Sequence, residues 1–170
     1  IHGYSKGGQR NGNSRRELVH WALEEVKLQP AEEFSGKYPH TLSGGQRQRV
    51  AIARALTLQP ELVVADEPVS MIDASSRAEI LYLLKELQER HGTTFLYITH
   101  DIATARHFSH RIAVMYLGRI VELGPTRQVI ESPLHPYTRA LLNAVPEPDP
   151  ANRLRQRGAV TGEPASPVSP

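Results

Sequence analysis

Along the first sixty residues, apolar positions recur at helical spacing. From Ser14 the residues Leu18, Trp21, Ala22 and Val26 fall three or four apart with Glu and Lys between them, and Pro30 closes the run, so a helix is expected there. Residues 1–13 carry Gly3, Gly7, Gly8 and Gly12 among polar and basic neighbours and predict a loop. Pro39-His40-Thr41-Leu42 is expected to be an extended approach to a second helix that begins near Ser43.

The pattern then changes. Leu62-Val63-Val64-Ala65, bounded by Pro60 and Pro68, is a short unbroken apolar run, as expected of a buried strand. Asp73 is placed to cap a helix whose apolar stripe is Ile80, Leu83, Leu84 and Leu87, with His91-Gly92 at its end. A second apolar run, Thr94–Ile98, leads to Thr99-His100-Asp101. Strand, helix, strand at this spacing predicts a parallel crossover unit with Asp66, Glu67 and His100 at the carboxyl ends of its strands, the edge at which open α/β sheets bind ligands. Arg111–Met115 and Arg119–Leu123, joined by Tyr116-Leu117-Gly118, predict a hairpin. Short helices are expected from Pro125 to Ile130 and over Tyr137–Ala144, followed after Pro146 by a Pro- and Ser-rich tail, extended and mobile.

Composition narrows the function classes. The 170 residues hold Lys+Arg 20 against Asp+Glu 18, 39% hydrophobic positions and no cysteine, which excludes a disulfide scaffold and fits a soluble globular domain. No apolar stretch approaches the roughly 18 residues of a membrane-spanning helix, and the amino terminus lacks the apolar core of a signal peptide. A net charge of +2 is a weak pointer to nucleic acid, and Arg47, Arg49 and Arg54 lack interleaved aromatics, so they are read as a solvated or salt-bridged helix face. Because the first residue is Ile1, the chain is expected to be a piece of a longer protein.

Two stretches carry candidate chemistry. Asp66 and Glu67 follow the strand directly; neighbouring side chains on a strand point to opposite faces, so each acid suits a separate task. Asp66 fits a hard cation such as Mg²⁺, and Glu67 fits a water that attacks a phosphate; a solvated turn before Pro68 is the structural alternative. Ser43-Gly44-Gly45-Gln46 opens a helix, where free N–H groups and the positive dipole end suit an anion. Ser43 with Gln46 is also a capping box, but a cap does not require two glycines in the first helical turn, where they weaken the helix. His100 can hydrogen-bond a phosphate oxygen or the attacking water, or simply pack at the strand end. His107 and His110 lack a third metal ligand and are read as solvated helix-end residues.

The string from Leu42 to Leu56, then Asp66-Glu67-Pro68, Ser70-Met71-Ile72-Asp73 and Thr99-His100-Asp101, resembles the ATP-binding subunit of an ABC transporter over about residues 38–123. The resemblance implies an α/β fold: a partial P-loop NTPase domain with a mostly parallel sheet flanked by helices, a helical signature region and an extended C-terminal tail. It also implies roles: Leu42–Gln46 as signature motif, Asp66 as the metal-holding acid that ends the Walker B strand, Glu67 as catalytic carboxylate, Asp73 as D-loop acid and His100 as switch histidine. Ser43, Gly44, Gly45, Gln46 and Asp73 would face ATP, with Mg²⁺ as companion ion. Ser132–Leu142 and Val145–Pro150 resemble the C-terminal extension of dipeptide/oligopeptide importers, and Gly162–Pro167 resembles a stretch that precedes a cysteine-bearing segment in such subunits.

This chain departs from the family at several points. No Gly-x-x-x-x-Gly-Lys-Ser/Thr occurs: Gly36-Lys37 is followed by Tyr38, with Ala31 five before Gly36. Neither the glutamine loop nor the adenine-stacking aromatic of the family is present, and Ser-Met-Ile-Asp stands where Ser-Ala-Leu-Asp is common. The chain by itself is therefore expected neither to bind ATP tightly nor to hydrolyse it.

The resemblance divides the chain into a loop and signature region (1–58), a catalytic-core segment (59–124) and a C-terminal extension (125–170). It implies an importer ATPase at the cytoplasmic face of the membrane. Its partners would be transmembrane permease subunits, a second ATP-binding subunit and, indirectly, a solute-binding protein, but not nucleic acid. Trp21 and Phe34 are candidates for permease contact, with the core the preferred place for Trp21. A soluble ABC-type ATPase of DNA repair or translation, or a non-catalytic regulatory subunit, is the alternative. Gln46, the lack of sustained heptads and the His135–Leu142 extension weigh against the first, and intact Asp66, Glu67 and His100 against the second.

Overall fold

The computed structural model describes residues 12–145 apart from Met71, so all but the last two residues of the loop expected over 1–13, and the expected tail after Pro146, lie outside the described residues, while Gly12 and Asn13 are helical and not loop. Helix α1 (Gly12–Glu25) starts two residues before Ser14 and ends as the spacing predicts. Its last turn is closed by Lys27 at φ 60, with the N–H groups of Lys27 and Leu28 donating to Glu24 and Leu23. A short helix follows that the sequence does not announce, α2 (Ala31–Ser35), with Pro30 as N-cap, two acids in its first turn and Ala31 fully buried. Pro39–Thr41 forms one 3-10 turn instead of the extended approach, because Pro39 occupies the first helical position and Thr41 and Leu42 donate back to Tyr38 and Pro39.

Helix α3 (Gly44–Leu56) leads to strand β1 (Leu62–Asp66), and the long α4 (Ala74–His91) returns the chain to strand β2 (Thr94–Ile98). The two strands are parallel, with Leu62 opposite Thr94 and Asp66 opposite Ile98, which is the expected crossover. Ile80, Leu83, Leu84 and Leu87 form the buried stripe of α4, each contributing about 1.5–3 kcal/mol through removal from water. Gly92 ends the helix at φ 65, a conformation a Cβ disfavours. Gly92→Ala is expected to lower the unfolding free energy by about 1 kcal/mol in a denaturant titration, since the site is otherwise open.

One core unites these elements: Ala22, Leu23, Val26, Leu28 and Ala31 meet Ala53 and Leu56 of α3 and Leu83 and Leu87 of α4, with Trp21, Phe34 and Phe95 packed against them. Trp21 and Phe34 are thus core-lining side chains. Polar contacts span the α1–α4 seam: Glu25 pairs with Arg90 at 2.9 Å and meets the His91 ring at 2.7 Å, and Lys27 pairs with Glu86 at 2.6 Å.

The expectation of a buried strand needs correction. Val63, Ala65, Phe95 and Tyr97 lie on the half-buried face of the sheet, whereas Leu62, Val64, Leu96 and Ile98 are about half exposed on the other. An apolar run without alternation reports that both faces are apolar, not that both are covered.

The packing divides the chain into two compact units, 1–98 and 99–170, so the core crosses the 58/59 boundary drawn from motifs. In the second unit α5 (Ile102–Phe108) precedes β3 (Arg111–Tyr116) and β4 (Arg119–Pro125), then α6 (Thr126–Glu131) and α7 (Pro136–Ala144). The hairpin turns through Leu117 and Gly118, both at positive φ, and carries an irregularity at Val114/Met115. Among the described residues, parallel pairing is confined to β1–β2, and β3–β4 is an antiparallel sheet of its own.

Ile112, Val114 and Val129 form the second core, on which Tyr137 and Leu141 of α7 pack, so this core crosses 124/125. Glu122 also holds the start of α7, accepting the N–H groups of Leu134 at 2.9 Å and His135 at 3.1 Å. Partial desolvation pushes its carboxyl up, but the Leu134 N–H, the nearby Thr138 hydroxyl and His135 together outweigh it and hold the group below the usual carboxylate range. That attachment is present above the ordinary Glu range and is lost as acid titrates the lowered group. Hydrogen exchange at Leu134 and His135 is expected to accelerate on acidification in the native protein once corrected for intrinsic rates, and Glu122→Gln to remove the dependence.

Candidate functional site

Ser43 stands at the amino end of α3 in extended conformation and forms the predicted capping box: its Oγ accepts the Gln46 N–H at 3.2 Å while its own N–H donates to Gln46 Oε1 at 3.0 Å. The box occupies the Gln46 N–H and leaves those of Gly44 and Gly45 at the helix start, directed along the axis as helix geometry requires. Arg47 reaches back to the Leu42 carbonyl at 2.8 Å and steadies the approach. A Cβ built on Gly45 would lie 3.4 Å from Ser76 Cβ and Oγ, an ordinary van der Waals distance, so the start of α3 runs beside the first turn of α4.

Asp73 caps α4, its Oδ1 accepting the Ser76 N–H at 2.9 Å and the Ser75 hydroxyl at 2.5 Å. The Ser75 hydroxyl first, then the Ser76 N–H, lower its pKa from 3.8 to about 2. Because the folded value is depressed, the stabilisation is fully present above about pH 4 and is lost as pH falls through 2. Asp73→Asn is expected to flatten the acid limb of the stability curve between those values while leaving the neutral limb parallel, measured by denaturant titration at fixed pH steps.

Asp66 is the exposed last residue of β1, on the face that carries Leu62 and Val64. Glu67 turns the chain at φ 44, a left-handed conformation that few non-glycine residues adopt, so a fixed setting maintains it. Its N–H donates to the Ile98 carbonyl at 2.9 Å, and its carbonyl accepts from the Ser70 N–H and Oγ at 3.3 and 3.1 Å. The backbone of the second acid is thereby tied to the end of β2. Burial alone pushes the Tyr97 hydroxyl up to about 12, leaving it a neutral neighbour on the opposite face of the sheet.

His100 is exposed and belongs to the second unit, next to Asp101, whose Oδ1 accepts the Thr104 N–H at 3.1 Å as the cap of α5. His107 and His110 are exposed, as solvated residues should be. Among the described residues no three His, Cys, Asp or Glu side chains converge to hold a metal unaided. Mg²⁺ does not require such a cage, since one or two carboxylates with phosphate oxygens and waters suffice, and exposed Asp66 fits that donor set.

The structure brings the signature turn and the Asp73 turn together. Ser43, Gly45, Gln46 and Arg49 line one side of a cleft of about 250 Å³, and Ser76, Glu79 and Ile80 line another. Ser76 and Glu79 carry no sequence signal beyond their positions three and six after Asp73.

Residues 5–70 match the family described as "ABC transporter", and residues 121–169 match "Oligopeptide/dipeptide transporter, C-terminal region". The chain is 52% identical over 150 residues to the "Glutathione import ATP-binding protein GsiA" of Pectobacterium atrosepticum, covering 88% of this chain and 24% of that protein. It is 50% identical over 146 residues to the "Oligopeptide transport ATP-binding protein OppF" of Bacillus subtilis, covering 84% of this chain and 47% of that one. The chain thus spans less than half the length of these curated relatives. Among solved structures, the dimeric bacterial ABC transporter cassette MJ0796 is similar, with a TM-score of 0.60 and 39% identity over 71% of this chain and 51% of that one.

Proposed function

We propose that this chain, which matches the ABC transporter family over residues 5–70, forms part of the ATP-hydrolysing subunit of an importer for peptides or a related solute. The observation that carries the reading is the joint presence, in one chain, of the ABC transporter match and the oligopeptide/dipeptide transporter C-terminal match. The similar cassette MJ0796 is dimeric and has also been solved bound to ADP and Pi, which supports a two-subunit ATPase.

In the proposed mechanism the start of α3 faces the γ-phosphate of ATP held by a second ATP-binding subunit. Ser43 Oγ accepts within its own cap yet keeps its proton to donate, and the N–H groups of Gly44 and Gly45 add their dipoles. Gln46 shapes that turn through its Oε1. Asp73 stays anionic at neutral pH and holds the turn that abuts Gly45. Asp66 would hold Mg²⁺, which neutralises phosphate charge when bound with ATP. Glu67 orients the attacking water and takes its proton, and His100 hydrogen-bonds the nucleotide's terminal phosphate.

Residues 1–58, 59–124 and 125–170 then divide by role, as signature, hydrolytic edge and importer-type extension. Among the described residues no helix is long and apolar enough to cross a membrane. The match to the oligopeptide/dipeptide transporter C-terminal region supports transmembrane permease subunits as the pathway, with this subunit at their cytoplasmic face, a solute-binding protein acting on the far side and no nucleic acid involved.

The test is reconstitution of the full-length protein with its permease in vesicles. Mg²⁺-dependent ATP turnover coupled to peptide uptake is expected. Turnover indifferent to the permease, or stimulated by DNA, would overturn the importer reading.

A further inference from the structure

The capping box shapes the signature turn locally but does not orient it against the rest of the first unit. That orientation comes from Arg49, one helical turn beyond Gln46 on the same face. Its side chain is only 14% exposed; Nη1 donates to the Val26 carbonyl at 2.9 Å and Nη2 to Glu79 Oε2 at 2.9 Å. Val26 follows the last residue of α1, where carbonyls lack helical partners and the dipole favours a cation. Glu79 lies in the second turn of α4. One planar guanidinium therefore joins α1, α3 and α4, and only a forked donor serves both acceptors at once.

We infer that Arg49 is a positioning residue for ATP hydrolysis: with Glu79 and the Val26 carbonyl it holds the start of α3 in register with the Asp73 turn of α4. The inference rests on the proposed role of Ser43 toward a partner subunit's nucleotide. Gly45 and Ser76 both line the cleft, and the Arg49 fork is the strut that keeps the start of α3 from shifting against α4 there. Without the strut, Ser43 still caps α3 but loses its fixed direction, and misplacement by 1 Å at a reacting centre lowers a rate about a hundredfold. A loss of aim should appear in kcat rather than in ATP affinity, which is governed elsewhere.

The experiment uses the full-length protein assembled with its permease. Arg49→Ala is expected to lower kcat roughly 30- to 100-fold with KM for ATP within about threefold. Glu79→Gln keeps an acceptor and should stay within about threefold of wild type, whereas Glu79→Ala should lose about tenfold; the double alanine variant should be no slower than Arg49→Ala, because the two residues act as one unit. Wild-type-like kcat in Arg49→Ala, or multiplicative losses in the double variant, would sink the inference. Hydrogen exchange gives an arm independent of activity: Arg49→Ala should speed exchange at Gln46 and Arg47 at least about tenfold while Leu83 and Leu84 keep their protection. Unchanged exchange at Gln46, or an equal rise at Leu83, would refute the strut. A wild-type assembly with no ATP turnover would instead refute the proposed function, and the exchange arm would still decide on Arg49.

Discussion

Glu67→Gln in the full-length, assembled protein is expected to lower ATP turnover about a thousandfold, within the range a positioned proton acceptor contributes, while ATP binding stays within about threefold. The substitution preserves shape and removes the ability to take a proton. The left-handed turn is held by the N–H donating to Ile98 and by Ser70 donating to the carbonyl, both of which Glu67→Gln leaves in place. A folding defect is therefore not expected, and the loss falls on the chemical step. Single-turnover hydrolysis alongside equilibrium nucleotide binding separates the two. Turnover above a tenth of wild type would remove Glu67 from the role of base and return it to the solvated turn that its sequence context equally permits.

Leu83→Ala should lower stability by about 3 kcal/mol, the middle of the range for emptying a well-packed leucine site. Leu83 is 1% exposed and belongs to the cluster that contains residues of α1, α3 and α4. The informative measurement is native-state hydrogen exchange in the full-length protein. If one core serves all three helices, protection in α1, α3 and α4 falls together, by about a hundredfold for that free energy. A loss confined to α4 would mean that residues before and after 58 are separate cooperative units, against the shared core.

The two predictions bracket what could be read from residue order. The stripe of α4, its cap at Asp73 and its stop at Gly92, the capping box at Ser43 and the hairpin turn at Leu117-Gly118 were all legible. Each depends on groups a few positions apart, where backbone geometry alone determines who meets whom. Candidate chemistry at Asp66, Glu67 and Ser43 was legible for the same reason, as acids ending a strand and a hydroxyl opening a helix.

What was not legible depends on surfaces that meet across long stretches of chain. Arg49 joins Val26 and Glu79 at separations of 23 and 30 residues, and Glu25 meets Arg90 at 65. Nothing in the local pattern distinguishes such an arginine from Arg54 beside it, which is exposed. Likewise, the apolar run Leu62–Ala65 announces a strand but not which of its faces is covered. Local spacing settles element type, caps and turns because those energies are paid out within a few residues, whereas burial, the shared core and the aim of the signature turn arise when distant faces exclude water together, a property of the folded arrangement.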